Sequence, residues 1–350
     1  MILRPLALLV ALLQTAAPGV PAPPAAREIA PGTFLVPGAM PPDRGPDGNT
    51  VILAGTTGLI VIDTGRHPWH SDGILAFAKS RNQPVAAILN THWHLDHSSG
   101  NRRVKAVYPQ AKVYTTTAVD RAIGPGGFLT RNADAARART PDANTPATVA
   151  EEAALFLATM DASETLRPDV PVERSGAMTI AGRPLAVHVA TDAVTDGDLW
   201  LYDEATRVAV IGDLVTLPAP FFETACPARW QAALDEVWAN PFTLAVPGHG
   251  APMSRDAFDT YRKAFGNFRS CGGSDKLPAA CAEGWTTDVG SLLSSDADRK
   301  QATDYAAYYV GFLRKNGGAS ADCRSKQGSG IRDRGSGIRD QGQKGLGTRD

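Results

Sequence analysis

Short apolar runs alternate with longer amphipathic stretches along the chain, which is the pattern of a mixed α/β fold. β-Branched and aromatic residues are concentrated in the short runs and favour strands. In the first half, strands are predicted at Thr33–Val36, Asn49–Leu53, Leu59–Ile62, Val85–Asn90 and Lys112–Thr115. In the second half, they are predicted at Met178–Ile180, Leu185–Ala190, Asp198–Tyr202, Val208–Ile211 and Leu244–Val246.

Helices are predicted between these strands, where apolar residues recur at helical spacing. One helix is expected over Ser71–Ser80, and the Ala-rich segment Asp120–Asp169 is expected to be helical with a break near Thr140–Pro146. Three more are predicted at Pro227–Trp238, Arg255–Phe268 and Arg299–Leu313. Strands followed by helices in two similar halves predict an α/β sandwich, with the sheets inside and the helices outside.

The amino-terminal segment has the features of a secretory signal peptide. A basic start is followed by the apolar run Leu6–Leu13, and then by small residues and prolines up to Ala26. Gln14 and Pro18 end the run well short of the roughly 20 apolar residues that a membrane-spanning helix needs. We therefore expect residues 1–26 to be a signal peptide, cleaved at Ala22 or Ala26. The mature protein is then periplasmic or secreted, without stable membrane insertion.

The carboxyl-terminal segment has a different composition from the rest of the chain. From Arg324 onward glycine, serine and charged residues dominate, and Gly328–Asp333 is repeated as Gly335–Asp340. Such a segment has almost nothing to bury, which predicts a disordered tail over residues 324–350. The folded domain is expected to cover residues 27–323, and we assign the tail no function.

Composition and charge narrow the class of partner. The chain has 350 residues, 43% of them hydrophobic, which is enough for a sizeable buried core. Lys plus Arg (35) nearly cancels Asp plus Glu (36), and no basic stripe with interleaved aromatic residues is present. We therefore expect a small-molecule substrate and no nucleic acid, while the sequence does not indicate an oligomeric state.

All four cysteines lie in the second half of the chain, at Cys226, Cys271, Cys281 and Cys323. An even number in an oxidising compartment permits disulfides, and four cysteines allow three connectivities. Cys271 and Cys281 flank a Gly-rich turn and are the first pair expected. The alternative is that some of the thiols stay free and buried, which is common for cysteine.

The strongest chemical signal is the segment Thr91–His97, Thr-His-Trp-His-Leu-Asp-His, which contains three of the chain's seven histidines. The preceding predicted strand would deliver this segment to the end of a sheet, where active sites of open α/β sheets lie. Imidazole and carboxylate are ligands that zinc prefers. Since His92 and His94 alternate with Trp93, both can turn toward one metal, while Asp96 and His97 can turn toward a neighbouring one.

This segment resembles the signature of the metallo-β-lactamase superfamily, His-x-His-x-Asp-His after a strand, and the resemblance extends from about Gly32 to Ser270. Asp63 stands where the family has an aspartate that braces the metal loop. Asp213 matches the carboxylate that bridges two metals, and His249 matches the last metal histidine. The resemblance implies a four-layer αββα sandwich with two mixed sheets. It also implies one or two zinc ions, held by His92, His94, Asp96, His97, Asp213 and His249.

One family position differs in this chain. Two-metal members usually supply a third histidine shortly before the Gly-Asp pair, and Val194 occupies that place here. The first site would then keep His92, His94, a bridging Asp213 and water, which is still an acceptable catalytic zinc site. The second site would keep its full set.

Several other polar residues are candidates near the site. Asp192 and His188 could replace the missing ligand, although a strand histidine is more often structural. His67 and His70 are expected on a solvated loop bordering the cleft. The segment Leu217–Cys226, rich in proline and aromatic residues, either lines the cleft or is a packed loop.

The resemblance implies a zinc-dependent hydrolase in which zinc-activated hydroxide, oriented by the catalytic residue Asp96, cleaves a small molecule. Esters, lactones, thioesters and cyclic amides, including β-lactams, are all candidate substrates, because fold and metal site do not choose among them. The alternative is a non-catalytic or mononuclear metal-binding periplasmic protein that lost a ligand at Val194. An iron redox site is disfavoured, since no flavin-binding domain follows.

Overall fold

The computed structural model of the protein describes residues 21–41, 44–138, 145–321 and 323. The first half contains β1 (Arg27–Ala30), β2 (Thr33–Val36), β3 (Thr50–Ala54), β4 (Leu59–Ile62), α1 (Pro68–Ser80), β5 (Val85–Leu89), α2 (Leu95–Ser98), α3 (Asn101–Val107), β6 (Lys112–Thr115), α4 (Ala118–Ile123), α5 (Phe128–Ala138), α6 (Ala147–Asp161) and β7 (Val170–Pro171). The second half contains β8 (Gly176–Ile180), β9 (Arg183–Ala190), β10 (Asp198–Asp203), β11 (Val208–Thr216), α7 (Pro227–Ala239), β12 (Leu244–His249), β13 (Met253–Ser254), α8 (Arg255–Gly272), α9 (Pro278–Asp288) and α10 (Asp296–Lys315).

The strands form two mixed sheets. The first has seven strands in the order β1-β2-β3-β4-β5-β6-β7, and the second has six in the order β13-β12-β11-β10-β9-β8. β4, β5, β6 and β7 run parallel in the first sheet, and β11 and β12 run parallel in the second. The remaining neighbours are antiparallel.

Alternation along the strands builds the layers, because successive side chains point to opposite faces of a sheet. In β4, Ile60 and Ile62 pack into the apolar layer between the two sheets, whereas Leu59 and Val61 pack against α1 and α3. In β10, Leu199 and Leu201 face the same central layer. Their neighbours Trp200 and Tyr202 pack against the helices of the second half. The result is an αββα sandwich of four layers, and the predicted fold is confirmed.

Every predicted strand is present, and the ends differ by a few residues. The three helices predicted in the second half are also present, and the segment Asp120–Asp169 contains helices as expected. The short strands β1, β7 and β13 and the helices α2, α3 and α9 were not predicted. Elements of two to seven residues give too few positions for a period to be recognised. In the longer α9, the buried Cys281, Ala282 and Trp285 form only a narrow face.

Both disulfides permitted by the sequence are formed. Cys271 is bonded to Cys281 across 10 residues of sequence, which confirms the expected pairing. Cys226 is bonded to Cys323 across 97 residues. Within the described residues, no helix has the length and apolar character needed to cross a membrane. Residues 1–20 of the expected signal peptide, the tail from residue 324, and most of the expected helix break (residues 139–144) lie outside the described residues.

Candidate metal centre

The six predicted metal residues converge at one edge of the sandwich. The segment carrying His92, His94, Asp96 and His97 follows the carboxyl end of β5, and Asp96 and His97 lie in the short helix α2. Asp213 lies within β11, and His249 is the last residue of the neighbouring parallel strand β12. Parallel strands bring their carboxyl ends to the same edge, so residues far apart in the sequence meet there.

Ligand atoms fall into two compact groups that share His97. The nitrogen and oxygen atoms of His92, His97 and Asp213 lie within 4.8 Å of one another, as do those of Asp96, His97 and His249. The Nε2 atom of His97 is 3.1 Å from Asp213 Oδ1 and 3.2 Å from His249 Nε2. His249 Nε2 is in turn 3.0 Å from Asp96 Oδ2. The sequence places Asp213 in this second group as well; its Oδ1 atom lies 3.6 Å from His249 Nε2, just outside the compact set.

Asp63 sets the proton positions on two of these histidines. Its Oδ2 atom accepts hydrogen bonds from the Thr91 hydroxyl (2.7 Å) and from His97 Nδ1 (2.8 Å). Because the Thr91 hydroxyl donates to Asp63, it accepts from His92 Nδ1, 3.0 Å away. With Nδ1 of both rings occupied by a proton, Nε2 of the neutral rings carries the lone pair that faces the other ligands. Asp63 thus has the bracing place that the resemblance implies.

The donor set fits a divalent metal ion. His92 Nε2 is buried without a hydrogen-bond partner, and Asp213 Oδ2 is 3.8 Å away. A buried nitrogen left unpaired is costly, and a metal ion would satisfy it. Burial, together with the neighbouring histidines, lowers the pKa of His92 well below 6.5, so the ring is neutral and able to bind a metal.

Charge also favours a cation at this place. Burial raises the pKa of Asp96 and of Asp213, but the nearby histidines, His97 first among them, outweigh burial and leave both carboxyl groups with lowered pKa values. Burial lowers the pKa of His97, but the carboxylates of Asp213, Asp96 and Asp63 raise it by a larger amount. The resulting pKa lies well above 6.5. A metal ion would compete with the proton on His97 Nε2 for the same carboxylates.

His94 lies beside these groups but has a different partner. Its Nε2 atom is 3.0 Å from the hydroxyl of Thr224, which donates to the carbonyl of Val194 at 2.8 Å. The Thr224 hydroxyl therefore accepts from His94 Nε2, and Nδ1 is the unprotonated nitrogen of the neutral ring. The ring contacts that of His92 edge-on, with 4.4 Å between centroids. Burial lowers the pKa of His94 to about 4.

The three positions around the missing histidine are separated from the compact groups. Val194 is 1% exposed and packs in the apolar layer with the helices of the second half. Asp192 is partly exposed at a backbone φ of 60° and belongs to neither group. His188 stacks on Trp200 with 3.7 Å between ring centroids and lies 3.1 Å from Glu236, so the structure does not bring it to the site.

The expectation that His67 and His70 are solvated loop histidines is wrong, because both side chains are buried. His67 Nδ1 is 2.9 Å from Asp47 and His67 Nε2 is 2.7 Å from Glu152, while His70 Nε2 is 2.8 Å from the Thr50 hydroxyl. α1 begins at Pro68, so His70 belongs to a helix packed on the sheet. Little in the sequence indicates these contacts, because Asp47 and Glu152 are 20 and 85 residues from His67.

The metal centre opens into a cavity of about 1250 Å³, whose lining includes His94, Asp96, Asp213 and His249. Its walls are largely apolar, with the aromatic residues Trp93, Phe128, Phe156, Phe221 and Tyr309 among the lining residues. Residues 217–219, 221 and 223 also line it. Of the two alternatives expected for the segment Leu217–Cys226, lining the cleft is therefore the one that the structure shows. The contributions of α5, α6 and α10 were not predicted, because periodicity identifies a helix but not the surface that it covers.

Known proteins are similar to this chain in sequence or in fold. The chain is 29% identical to a linear primary-alkylsulfatase from a Pseudomonas species over 226 residues, which is 56% of this chain and 40% of that protein. It is 42% identical to a hydroxyacylglutathione hydrolase from a Synechococcus species over 59 residues, 17% of this chain and 22% of that protein. The chain thus spans less than half the length of these curated relatives.

A solved structure of a double mutant of the sec-alkyl sulfatase PisA1 has the same fold, with a TM-score of 0.55 at 18% identity. The match covers 89% of this chain and 57% of that one. A sequence profile of the metallo-β-lactamase superfamily matches residues 43–249, more than half of the 350 residues, and the match includes all six predicted metal residues. The resemblance seen in the sequence is confirmed: the chain belongs to the metallo-β-lactamase superfamily.

Proposed function

We propose that the protein is an exported, zinc-dependent hydrolase that cleaves an ester bond in a small molecule with a large apolar part. The observation that carries this proposal is the convergence of five imidazole and carboxylate side chains, with His94 beside them, at one end of a large and mainly apolar cavity. An apolar pocket with a few convergent polar groups is the usual form of a small-molecule site.

The residues that would hold the metal are His92, His94, Asp96, His97, Asp213 and His249. Neutral imidazoles and ionised carboxylates are the donors that zinc prefers in sites without cysteine. A zinc ion bound there would act as a Lewis acid and would lower the pKa of water toward about 7.

Asp96 is the residue best placed to handle a proton. Its side chain is only partly buried and faces the cavity. Its lowered pKa keeps it ionised at neutral pH, so Oδ2 can accept a hydrogen bond from an attacking water. His249 Nε2, 3.0 Å from Oδ2, fixes the orientation of the carboxylate. We infer that Asp96 orients the water and that the apolar walls exclude bulk solvent from the reacting bond.

The character of the cavity favours a substrate with an alkyl chain or aromatic ring. Of the six large hydrophobic residues that are exposed in the described part of the chain, Met40, Val149, Tyr305 and Tyr308 line this cavity. One relative is named as a linear primary-alkylsulfatase. Alkyl sulfate esters are therefore the first candidates, followed by carboxylic esters, lactones and thioesters. β-Lactams, which are cyclic amides, are also included in the panel of substrates to be tested.

Export is supported by the two disulfides, since such bonds persist mainly in oxidising compartments. The signal-peptide pattern of residues 1–26 points to the same conclusion. We infer a periplasmic or secreted protein.

Metal content and two alanine variants test the proposal. We expect one or two zinc atoms per chain by plasma mass spectrometry, on protein purified without chelators or a metal column. His92→Ala and Asp213→Ala should each abolish hydrolysis of the substrate panel while keeping the far-UV circular dichroism of the parent. His188→Ala is the matched control, because that histidine lies outside both ligand groups. A fully active His92→Ala or Asp213→Ala protein would refute the assignment.

A second candidate, a mononuclear or non-catalytic metal-binding protein, is favoured by the apolar burial of Val194 in the place of the family histidine. Val194→His discriminates the two. A large rise in activity and in bound zinc would indicate a site that lost competence, whereas unchanged values would indicate a site adapted to fewer ligands. Protein that binds no zinc after reconstitution would support the non-catalytic alternative.

A further inference from the structure

We infer that Arg66 forms an anion subsite beside the metal centre, and that the substrate carries a carboxylate, sulfate or phosphate group that this guanidinium binds. The inference rests on the proposed function and deepens it, since it names a chemical feature of the substrate and the residue that recognises it. It goes beyond the six metal residues, because Arg66 belongs to a different segment, between β4 and α1.

The hydrogen-bonding capacity of Arg66 is not fully used within the protein. The side chain lines the cavity and is 24% exposed. Its Nε atom is buried without a hydrogen-bond partner. Its ion pair with Glu152 is long, with 3.6 Å between Nη1 and Oε2, beyond the usual range of an N–H···O hydrogen bond. A guanidinium held in this way has donors left for a ligand.

The other arginine of the cavity differs in this respect. Arg44 donates a short hydrogen bond from Nη2 to Glu151, at 2.6 Å, and its guanidinium lies over the ring of Trp69, 5.5 Å from the centroid. It is only 9% exposed. Arg44 thus has partners on both sides of its guanidinium, and Arg66 is the arginine of the cavity that is available to bind a substrate.

The position of Arg66 is fixed by its surroundings. Its backbone N–H donates to Asp47 Oδ1 at 2.7 Å. Its guanidinium lies directly on Gly45, where a Cβ atom would approach Arg66 Cζ to 2.8 Å. Only glycine at position 45 leaves room for this side-chain position. An ordered guanidinium loses little conformational freedom when it binds a ligand, which favours recognition.

The carboxylates around the cavity have other partners. Glu152 accepts hydrogen bonds from His67 Nε2 at 2.7 Å and from the backbone of Gly45 at 3.2 Å. Glu223 accepts from the Tyr308 hydroxyl at 3.0 Å. Asp96 and Asp213 belong to the ligand groups. Because the rest of the lining is largely apolar, the uncommitted charge of Arg66 determines the polar group that the cavity can select.

An oxyanion is the ligand that best matches this charge. The planar guanidinium presents parallel N–H donors that fit carboxylate, sulfate and phosphate oxygens. Arg66 and Asp96 line the same cavity. A substrate bound through its anionic group at Arg66 would therefore hold its neighbouring bond near the metal residues.

Binding of a matched pair of probes tests the inference. Octanesulfonate has an anionic group and an eight-carbon chain, whereas 1-octanol has the same chain without charge. Calorimetric titrations would be made with zinc-loaded protein and with chelator-treated protein, so that the contribution of Arg66 is separated from that of the metal. Arg66→Gln should raise the Kd for octanesulfonate by on the order of tenfold in both states and leave 1-octanol binding unchanged.

Three further variants sharpen the result. Arg66→Lys should restore only part of the affinity, because an ammonium lacks the planar fork. Gly45→Ala should weaken octanesulfonate binding without removing any charge, because the new Cβ displaces the guanidinium. Arg44→Gln is the matched control and should bind as the wild type does.

The inference would be overturned if wild-type protein and Arg66→Gln bound octanesulfonate equally, or if neither bound it. An equal loss in Arg44→Gln would also overturn it, since general positive charge would then suffice. These outcomes differ from failure of the proposed function, which would appear as absence of bound zinc or as full activity of the His92→Ala protein.

Discussion

At the scale of single residues, Asp63 and Thr91 decide which nitrogen atoms are available to a metal. Asp63 Oδ2 accepts hydrogen bonds from both Thr91 and His97, and the Thr91 hydroxyl in turn accepts a hydrogen bond from His92 Nδ1. Asp63 has a φ of 60°, a left-handed conformation that an aspartate adopts more readily than most residues. From this position one carboxylate contacts both Thr91 and His97.

The first prediction concerns this hydrogen-bond relay. Thr91→Val keeps the shape of the side chain but removes the hydroxyl, so His92 Nδ1 loses its acceptor and the tautomer is no longer fixed. We expect zinc affinity to fall by about 10- to 100-fold, the usual loss when a partner of a metal-binding histidine is removed. Competition with a chromophoric chelator measures it. Thr91→Ser retains the hydroxyl and is the control; equal affinities in the two variants would contradict the relay.

The sequence predicted the six metal residues but not their supporting contacts. Spacing within Thr91–His97, together with the family motifs, predicts these six residues as the ligands. Hydrogen bonds such as His94 to Thr224 (130 residues apart) and His67 to Glu152 (85 residues apart) depend on tertiary packing. No local period records them. The same limit applies to Arg66, whose freedom to bind a ligand follows from the positions of Gly45 and Glu152.

At the scale of elements, α6 is joined to the sandwich through His67. Glu152 of α6 accepts from His67 Nε2, and the buried Asp47 lies on the other side of the same ring. Asp47 also accepts from the backbone N–H of His67 and from the indole of Trp69. Because α6 contributes Val149, Glu152 and Phe156 to the cavity lining, this contact positions a wall of the proposed active site.

The second prediction is a pH dependence of stability. Burial lowers the pKa of His67, but hydrogen bonds to Asp47 and Glu152 outweigh it and raise the pKa above 6.5. Burial raises the pKa values of Asp47 and Glu152, and His67 reverses this and lowers them. The free energy of unfolding that protonated His67 contributes is therefore fully present below pH 6.5, and it is lost as the pH rises through the pKa of His67 in the folded protein. The carboxyl contributions are present above the unfolded values of 3.8 and 4.5, and are lost as pH falls through the folded values.

Measuring the free energy of unfolding with denaturant at pH 6 and at pH 8.5 checks the direction of this pH dependence. Wild-type protein should lose more free energy of unfolding over this interval than Glu152→Gln, by on the order of 1 kcal/mol, because the variant has already lost the charged contact. Glu151→Gln is the matched control, since that neighbouring side chain is 59% exposed and contacts Arg44 instead. A Glu152→Gln protein with the pH dependence of the wild type would exclude His67 as the titrating group.

The elements themselves were largely predictable, and their roles were not. Strands such as β4 and β10 are recognised from the sequence as short apolar runs, because both of their faces are buried in defined layers. The helices α5, α6 and α10 show an amphipathic pattern whether they cover a sheet or line a cavity. Their place at the cavity follows from the tertiary path of the chain, in which α5 and α6 lie between the two halves and α10 follows the second half, and local spacing does not record this path.

At the scale of the whole molecule, the disulfide between Cys226 and Cys323 joins the end of the described chain to the start of α7. Cys226 is the last residue of the cavity-lining segment Leu217–Cys226 and immediately precedes α7, and Cys323 lies beyond α10. Tyr305, Tyr308 and Tyr309 of α10 line the same cavity. The long disulfide therefore fixes the helix that forms one wall of the site relative to the second sheet.

The last prediction compares the two disulfides. Closing a loop removes conformational entropy from the unfolded chain, and the effect grows with the number of residues enclosed. For separations of 97 and 10 residues, loop closure amounts to about 4.7 and about 2.7 kcal/mol at 25 °C. The pair Cys226→Ser with Cys323→Ser should therefore lower the free energy of unfolding more than Cys271→Ser with Cys281→Ser. Guanidinium denaturation of the two paired variants measures this. A smaller loss for the long loop would mean that packing of α10 against α8 and α9, present with or without the bond, already holds this wall in place.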